Sequence, residues 1–137
     1  MSFSLKELLE GTDNTSSFLD DHVLGITSNS QHVQEGFAFF ALPGANVHGN
    51  EFIVDAVRLG AKVIITDRGI DGDVGVPIVL VNDVCACFAR AAARVTQPHP
   101  ENMVAVTGTN GKTSVVSFIR QIWELNGIRG ASVGTWV

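Results

Sequence analysis

Gly108-Thr109-Asn110-Gly111-Lys112-Thr113-Ser114 puts two glycines, one lysine and three hydroxyl side chains into seven consecutive residues. That combination suits the holding of a polyphosphate. Glycines let backbone N–H groups approach phosphate oxygens with no Cβ in the way, and Lys112 adds a point charge against the β- and γ-phosphates. The Thr113 hydroxyl would coordinate the magnesium that accompanies a nucleotide. The spacing departs from the full Walker pattern, because the position five before Gly111 is Val106 and not glycine.

Such a loop works only between the right elements. Residues 103–107 are apolar and β-branched enough to read as a strand, and residues 108–111 as a tight turn. From Thr113 onward Val115, Phe118, Ile119, Ile122 and Trp123 recur at helical spacing. Strand, glycine turn and helix together aim free N–H groups and the helix dipole at an anion.

Upstream, Ser4 and Glu7 have capping-box spacing ahead of Leu5, Leu8 and Leu9, and Gly11 is placed to stop a short first helix. The runs HVLGITS and FAFFAL read as strands joined by the turn-rich NSQHVQEG. Asn50 is a candidate cap for a helix over residues 51–59, with Phe52, Ala56 and Leu59 inward and Gly60 as its stop. AKVIITD and PIVLV read as buried strands, and Asn82 or Asp83 can cap the alanine-rich helix that follows. Strand and helix alternate, which implies an α/β fold with a parallel βαβ arrangement. Two prolines within three residues in QPHPEN mark a boundary, so the expected domains are residues 1–99 and 100–137.

The chain has 137 residues, 45% hydrophobic and 17% charged, with a net charge of −5. That is a folded chain, and its scattered lysines and arginines argue against a nucleic-acid partner. There is no export signal and no run long enough to span a membrane, so a cytoplasmic protein without a membrane partner is expected. For the same reason the Asn14-Thr15-Ser16 sequon reads as a polar turn. Cys85 and Cys87 lie two apart in a helical segment, cannot easily bridge, and read as small buried hydrophobes. His22, His32, His48 and His99 have no metal-ligand spacing and are expected at solvated loop positions.

TGTNGKTS is similar to the ATP-binding signature of the Mur ligase family, which adds amino acids to the UDP-N-acetylmuramic acid (UDP-MurNAc) precursor of peptidoglycan. The resemblance runs back through ITSNSQHVQEGFAFFALPGANVHGNEFIVDAVRLGAKVII, which is similar to the N-terminal domain of the tripeptide synthetase branch, MurE. The related MurF branch is the alternative; its loop more often carries serines where this chain has Thr109 and Asn110. The resemblance implies an N-terminal UDP-sugar-binding domain followed by the first strand, P-loop and helix of an ATP-binding domain. It assigns the ATP phosphates to Gly108, Thr109, Asn110, Gly111, Lys112, Thr113 and Ser114, with Lys112 catalytic and Thr113 on Mg2+. UDP-sugar contacts fall on Ser28, Ser30, Ala45, Asn46 and Val47. Where the family usually has Asp-Ser-Arg this chain has Asn29-Ser30-Gln31, and the usual turn aspartate is His48.

The implied reaction phosphorylates the terminal carboxylate of UDP-MurNAc-L-Ala-D-Glu with ATP, after which an amino acid's amine attacks the acyl phosphate. Diaminopimelate and lysine both stay open as that amino acid. Some 35 residues beyond the boundary fall below the roughly 40 that fold unaided, so the chain is expected to be a catalytically inactive fragment of the ligase. A UDP-sugar-binding module without catalysis is the other reading. The helix face of Val115, Ile119, Ile122 and Trp123 would pack on the first domain, self-associate or stay poorly ordered.

Overall fold

The computed structural model describes residues 1–13 and 20–134; the Asn14-Thr15-Ser16 sequon and the end of GASVGTWV lie outside them. The chain forms two compact units, Met1–His99 and Pro100–Val137.

In the first unit β1 (Phe3–Ser4) leads directly into α1 (Leu5–Leu8) and pairs antiparallel with β2 (His22–Val23). The expected capping box does not form. Ser4 belongs to the β1 ladder and its side chain makes no cap hydrogen bond. Instead α1 is tied at its far end, where Arg94 donates to the Leu8 carbonyl at 3.0 Å and the Glu10 carbonyl at 3.2 Å.

HVLGITS is not one strand. It breaks at Leu24 into β2 and β3 (Gly25–Thr27), and β3 turns to a new partner, β4 (Phe37–Phe40). Gly25 permits this switch because the Phe37 ring lies over it; a Cβ there would sit 2.7 Å from the ring. β5 (Val63–Thr66) and β6 (Ile78–Leu80) complete a four-stranded, all-parallel sheet in the order β3-β4-β5-β6.

The period-2 alternation of a strand sends neighbouring side chains to opposite faces, and both faces here are covered. Ala38, Phe40, Val63, Ile65 and Val79 pack with α1 and with α3 (Val84–Val95). Phe39, Ala41 and Ile64 pack on the other face with Ile53 and Ala56 of α2 (Ile53–Arg58). Burial on both faces explains why FAFF and the VII ahead of Thr66 are continuous apolar runs. Asp83, not Asn82, caps α3 through the Ala86 N–H at 2.8 Å.

Two helix expectations change. Asn50 does not cap α2: residues Gly49–Phe52 form a 3₁₀ turn whose N-cap is His48, and the Asn50 side chain faces Thr66. Ala56 is buried as expected, but Phe52 and Leu59 are 42% and 49% exposed, because the shorter helix turns them off the sheet. In the second unit α4 (Lys112–Leu125) forms, whereas residues 103–107 and the described part of GASVGTWV are not strands. A strand exists by its ladder, and among the described residues of this unit there is none to pair with. The apolar positions Val115, Phe118 and Ile122 on α4 are 45%, 61% and 56% exposed.

The cysteines are both free, as their spacing requires, but Cys85 is exposed while Cys87 is buried. Burial pushes the Cys87 thiol above its ordinary pKa, outweighing a hydrogen bond from Thr12 and the charges of Arg90 and Arg94. The thiolate is the reactive form. A thiol reagent at neutral pH should therefore titrate one cysteine in the folded chain, Cys85 by peptide mapping, and the second only after denaturation. Equal rates for both would contradict this burial.

Candidate functional site

The glycine-lysine-threonine loop caps α4 with backbone alone. Gly111, at φ +77°, is the left-handed N-cap residue, and it makes no side-chain cap hydrogen bond to the first turn. A side chain at Gly111 would meet nothing within 4 Å, so glycine is required by the backbone angle and not by crowding. The positive end of the helix dipole thus opens onto the loop.

A cavity of about 820 Å³ lies there, lined by Thr109, Asn110, Lys112, Thr113, Ser117 and Arg120 among others. Gly111 and Ser114 also line it; Gly108 does not, but its carbonyl accepts the Lys112 amine. Of the seven residues singled out in the sequence, six therefore share one cavity wall. Ser117 and Arg120 were missed. The signal was present, since Thr113, Ser117 and Arg120 follow one another at helical spacing on the polar side of α4. Among the described residues no three His, Cys, Asp or Glu side chains gather as metal ligands. Magnesium at this loop would take the Thr113 hydroxyl and the phosphates themselves as ligands.

The other set of residues lies in the first unit, at the carboxyl edge of the parallel sheet. Ser28 and Ser30 follow β3, and Ala45, Asn46 and Val47 follow the neighbouring strand β4. Open parallel sheets bind ligands outside the carboxyl ends of their strands. Thr27 Oγ1 accepts the Asn29 N–H at 3.1 Å, and the Asn29 side chain accepts the Gln31 N–H at 3.0 Å, heading the 3₁₀ turn Ser30–His32. Asn29 thus caps this turn without a negative charge. Ser30 and Gln31 face a second cavity of about 390 Å³ with Phe52, Asp55, Arg58 and Leu59.

Ala45, Asn46 and Val47 are exposed at the tip of a closed turn. Gly44 N–H donates to the Val47 carbonyl at 3.0 Å, and Pro43 bridges to His48. His48 is not the solvated histidine expected from its loop position. Its side chain is 8% exposed, its Nδ1 accepts the Asn50 N–H at 3.1 Å, and its Nε2 lies 3.1 Å from Asp67 Oδ1. His22, His32 and His99 are exposed, although His22 lies in β2 rather than a loop.

Beside it Asn50 Oδ1 accepts from the buried Thr66 hydroxyl at 2.7 Å, which in turn accepts the Arg68 N–H at 3.2 Å. Single-residue reading of His48, Thr66 and Asp67 could not pair positions 19 apart. Gly49 fits below the turn so closely that a Cβ would sit 2.6 Å from the Ala41 carbonyl carbon, a backbone atom that cannot swing away. Gly49→Ala should lower the stability of the first unit by about 1–3 kcal/mol, read as a shift of the urea midpoint. An unchanged midpoint would mean that the turn is not seated in this way.

A profile of the Mur ligase family, catalytic domain, matches residues 22–115. The chain is 47% identical over 113 residues to the UDP-N-acetylmuramoyl-L-alanyl-D-glutamate–2,6-diaminopimelate ligase of Chelativorans sp. (strain BNC1), a match covering 82% of this chain and 23% of that ligase. A solved structure of a UDP-N-acetylmuramoyl-L-alanyl-D-glutamate–2,6-diaminopimelate ligase is similar in fold, with a TM-score of 0.68 at 23% identity over 93% of this chain and 26% of that one. The MurF ligase of Thermotoga maritima in complex with ADP gives a TM-score of 0.56 at 31% identity over 73% of this chain and 23% of that one. Against curated relatives such as these the chain spans 23% to 26% of their length. Among the described residues no helix is long and apolar enough to cross a membrane. The match spans β2, the sheet-edge turns and the loop that opens α4, and the chain belongs to the Mur ligase family.

Proposed function

We propose that this chain is the substrate-anchoring part, with the nucleotide loop, of a cytoplasmic ATP-dependent ligase that joins 2,6-diaminopimelate to UDP-MurNAc-L-Ala-D-Glu. Residues 1–99 form the UDP-sugar-binding domain and residues 100–137 open the ATP-binding domain. The observation that carries this reading is the chain's composite build: a parallel sheet with two polar turns on one carboxyl edge precedes a separate unit with a backbone-capped, lysine-bearing loop. A nucleotide hydrolase or kinase needs only the second of these. The amino acid is taken from the named activity of the relatives.

At the sheet edge the Ser30 hydroxyl and the amides of residues 45–47 are suited to the uracil edge or a phosphate oxygen, neither of which demands a cation. At the loop the first-turn amides of α4 and the Lys112 amine would neutralise charge on the transferring phosphoryl group. A cavity of about 820 Å³ matches the size of sites that hold cofactor-sized molecules. The substrate carboxylate would take the γ-phosphoryl group of ATP to become an acyl phosphate as ADP leaves, and the amine of the amino acid would displace phosphate, losing a proton, to leave the amide. MurF is the second reading, supported by the fold and 31% identity of the Thermotoga maritima enzyme, although that match covers 73% of this chain against 93% for the diaminopimelate ligase.

Calorimetric titration tests the two ends separately. UDP-MurNAc-L-Ala-D-Glu should bind saturably, and Ser30→Ala should weaken it about fivefold, the effect of one lost hydrogen bond. Magnesium-ATP should bind the unaltered chain and fail to bind Lys112→Ala. A folded chain that ignores the sugar nucleotide would refute the assignment of the first unit.

A further inference from the structure

The turn carrying residues 45–47 is anchored by two separate polar ties to the end of β5. The first runs from the Asn50 side chain through the Thr66 hydroxyl to the Arg68 N–H, and it secures the 3₁₀ turn Gly49–Phe52 ahead of α2. The second runs from His48 to Asp67 and begins immediately after Val47. Because the His48 Nδ1 accepts the Asn50 N–H, the ring proton resides on Nε2, where it is donated to the Asp67 carboxylate. The ring thus spans two elements with one hydrogen bond at each end. His48 is nearly buried, whereas the Asp67 side chain is 26% exposed and can be changed without opening the core.

We infer that His48, oriented by Asp67, is a positioning residue for the sugar nucleotide: it fixes the exposed turn of residues 45–47 against the end of β5 so that its amides face the ligand. The inference rests on the proposed UDP-sugar site at this edge. His48 touches no ligand itself. A short acidic cap would satisfy the Asn50 N–H equally well but, placed next to Asp67, would set two carboxylates against each other. Imidazole satisfies the cap and turns that repulsion into a donated hydrogen bond. Charge-assisted hydrogen bonds of this kind are among the stronger ones in proteins.

Removing the second tie while leaving the first should loosen the turn without unfolding the unit. The test measures UDP-MurNAc-L-Ala-D-Glu binding by calorimetry, with a urea midpoint for every variant. Asp67→Ala should weaken binding about tenfold with a midpoint close to that of the unaltered chain, and Asp67→Asn, whose amide oxygen still accepts from Nε2, should restore most of the affinity. Nitrogen chemical shifts of the His48 ring should report the Nε2–H tautomer before ligand is added. Unaltered affinity in Asp67→Ala, with Ser30→Ala still impaired, would overturn the positioning role and leave the proposed site standing. So would the Nδ1–H tautomer, or equal loss of affinity and no rescue in Asp67→Asn. Absence of binding by the folded, unaltered chain would remove the site and the inference together.

Discussion

Parallel strands cannot be joined by tight turns, and that constraint organises the whole first unit. Each step across β3-β4-β5-β6 needs a crossover that returns the chain to the same starting edge. The strands are covered on both faces, so they spend their side chains on packing and have none to spare for a ligand. Phe39 and Phe40, adjacent in sequence, are buried in different cores on opposite sides of the sheet. Polar work is left to the segments beyond the carboxyl ends, where residues 28–31 follow β3 and residues 43–50 follow its neighbour β4.

The same logic explains how a polar loop can be ordered without a polar core. Among the described residues of this unit Thr66 is the fully buried polar one, and it lies at the last position of β5, where the strand leaves the apolar layer. Its hydroxyl both donates and accepts, so no polar atom is left without a partner there. Gly49 lies close against the Ala41 and Leu42 backbone at the end of β4, and Gly44 close against the Val47 carbonyl, so the turn can close on itself and fold down on the sheet. Ordering comes from the sheet outward.

Apolar runs carried most of the fold into view. FAFF could be read as a strand and AKVIITD as a buried one because two-sided burial leaves no alternation to misinterpret, and the alanine-rich α3 was equally plain. What escaped was set by contacts distant in sequence. The cap of the 3₁₀ turn is the His48 ring and not Asn50, since Thr66, sixteen residues on, takes the Asn50 side chain. HVLGITS broke in two because β1 and β4 compete for it. The strand expected before the glycine-lysine loop needed a ladder partner that residue types within 103–107 cannot supply. At the loop itself the glycines and Lys112 were legible from spacing, whereas Arg120 required attention to the polar side of a helix read chiefly for its apolar one.

The Lys112 amine is already engaged, since it donates to the carbonyl of Gly108 within its own loop. At the proposed nucleotide site a phosphate reaching the helix terminus would enter an exchange and would not add to a bare cation. One acceptor would leave the ammonium as another took its place, so that affinity would reflect the difference between two acceptors.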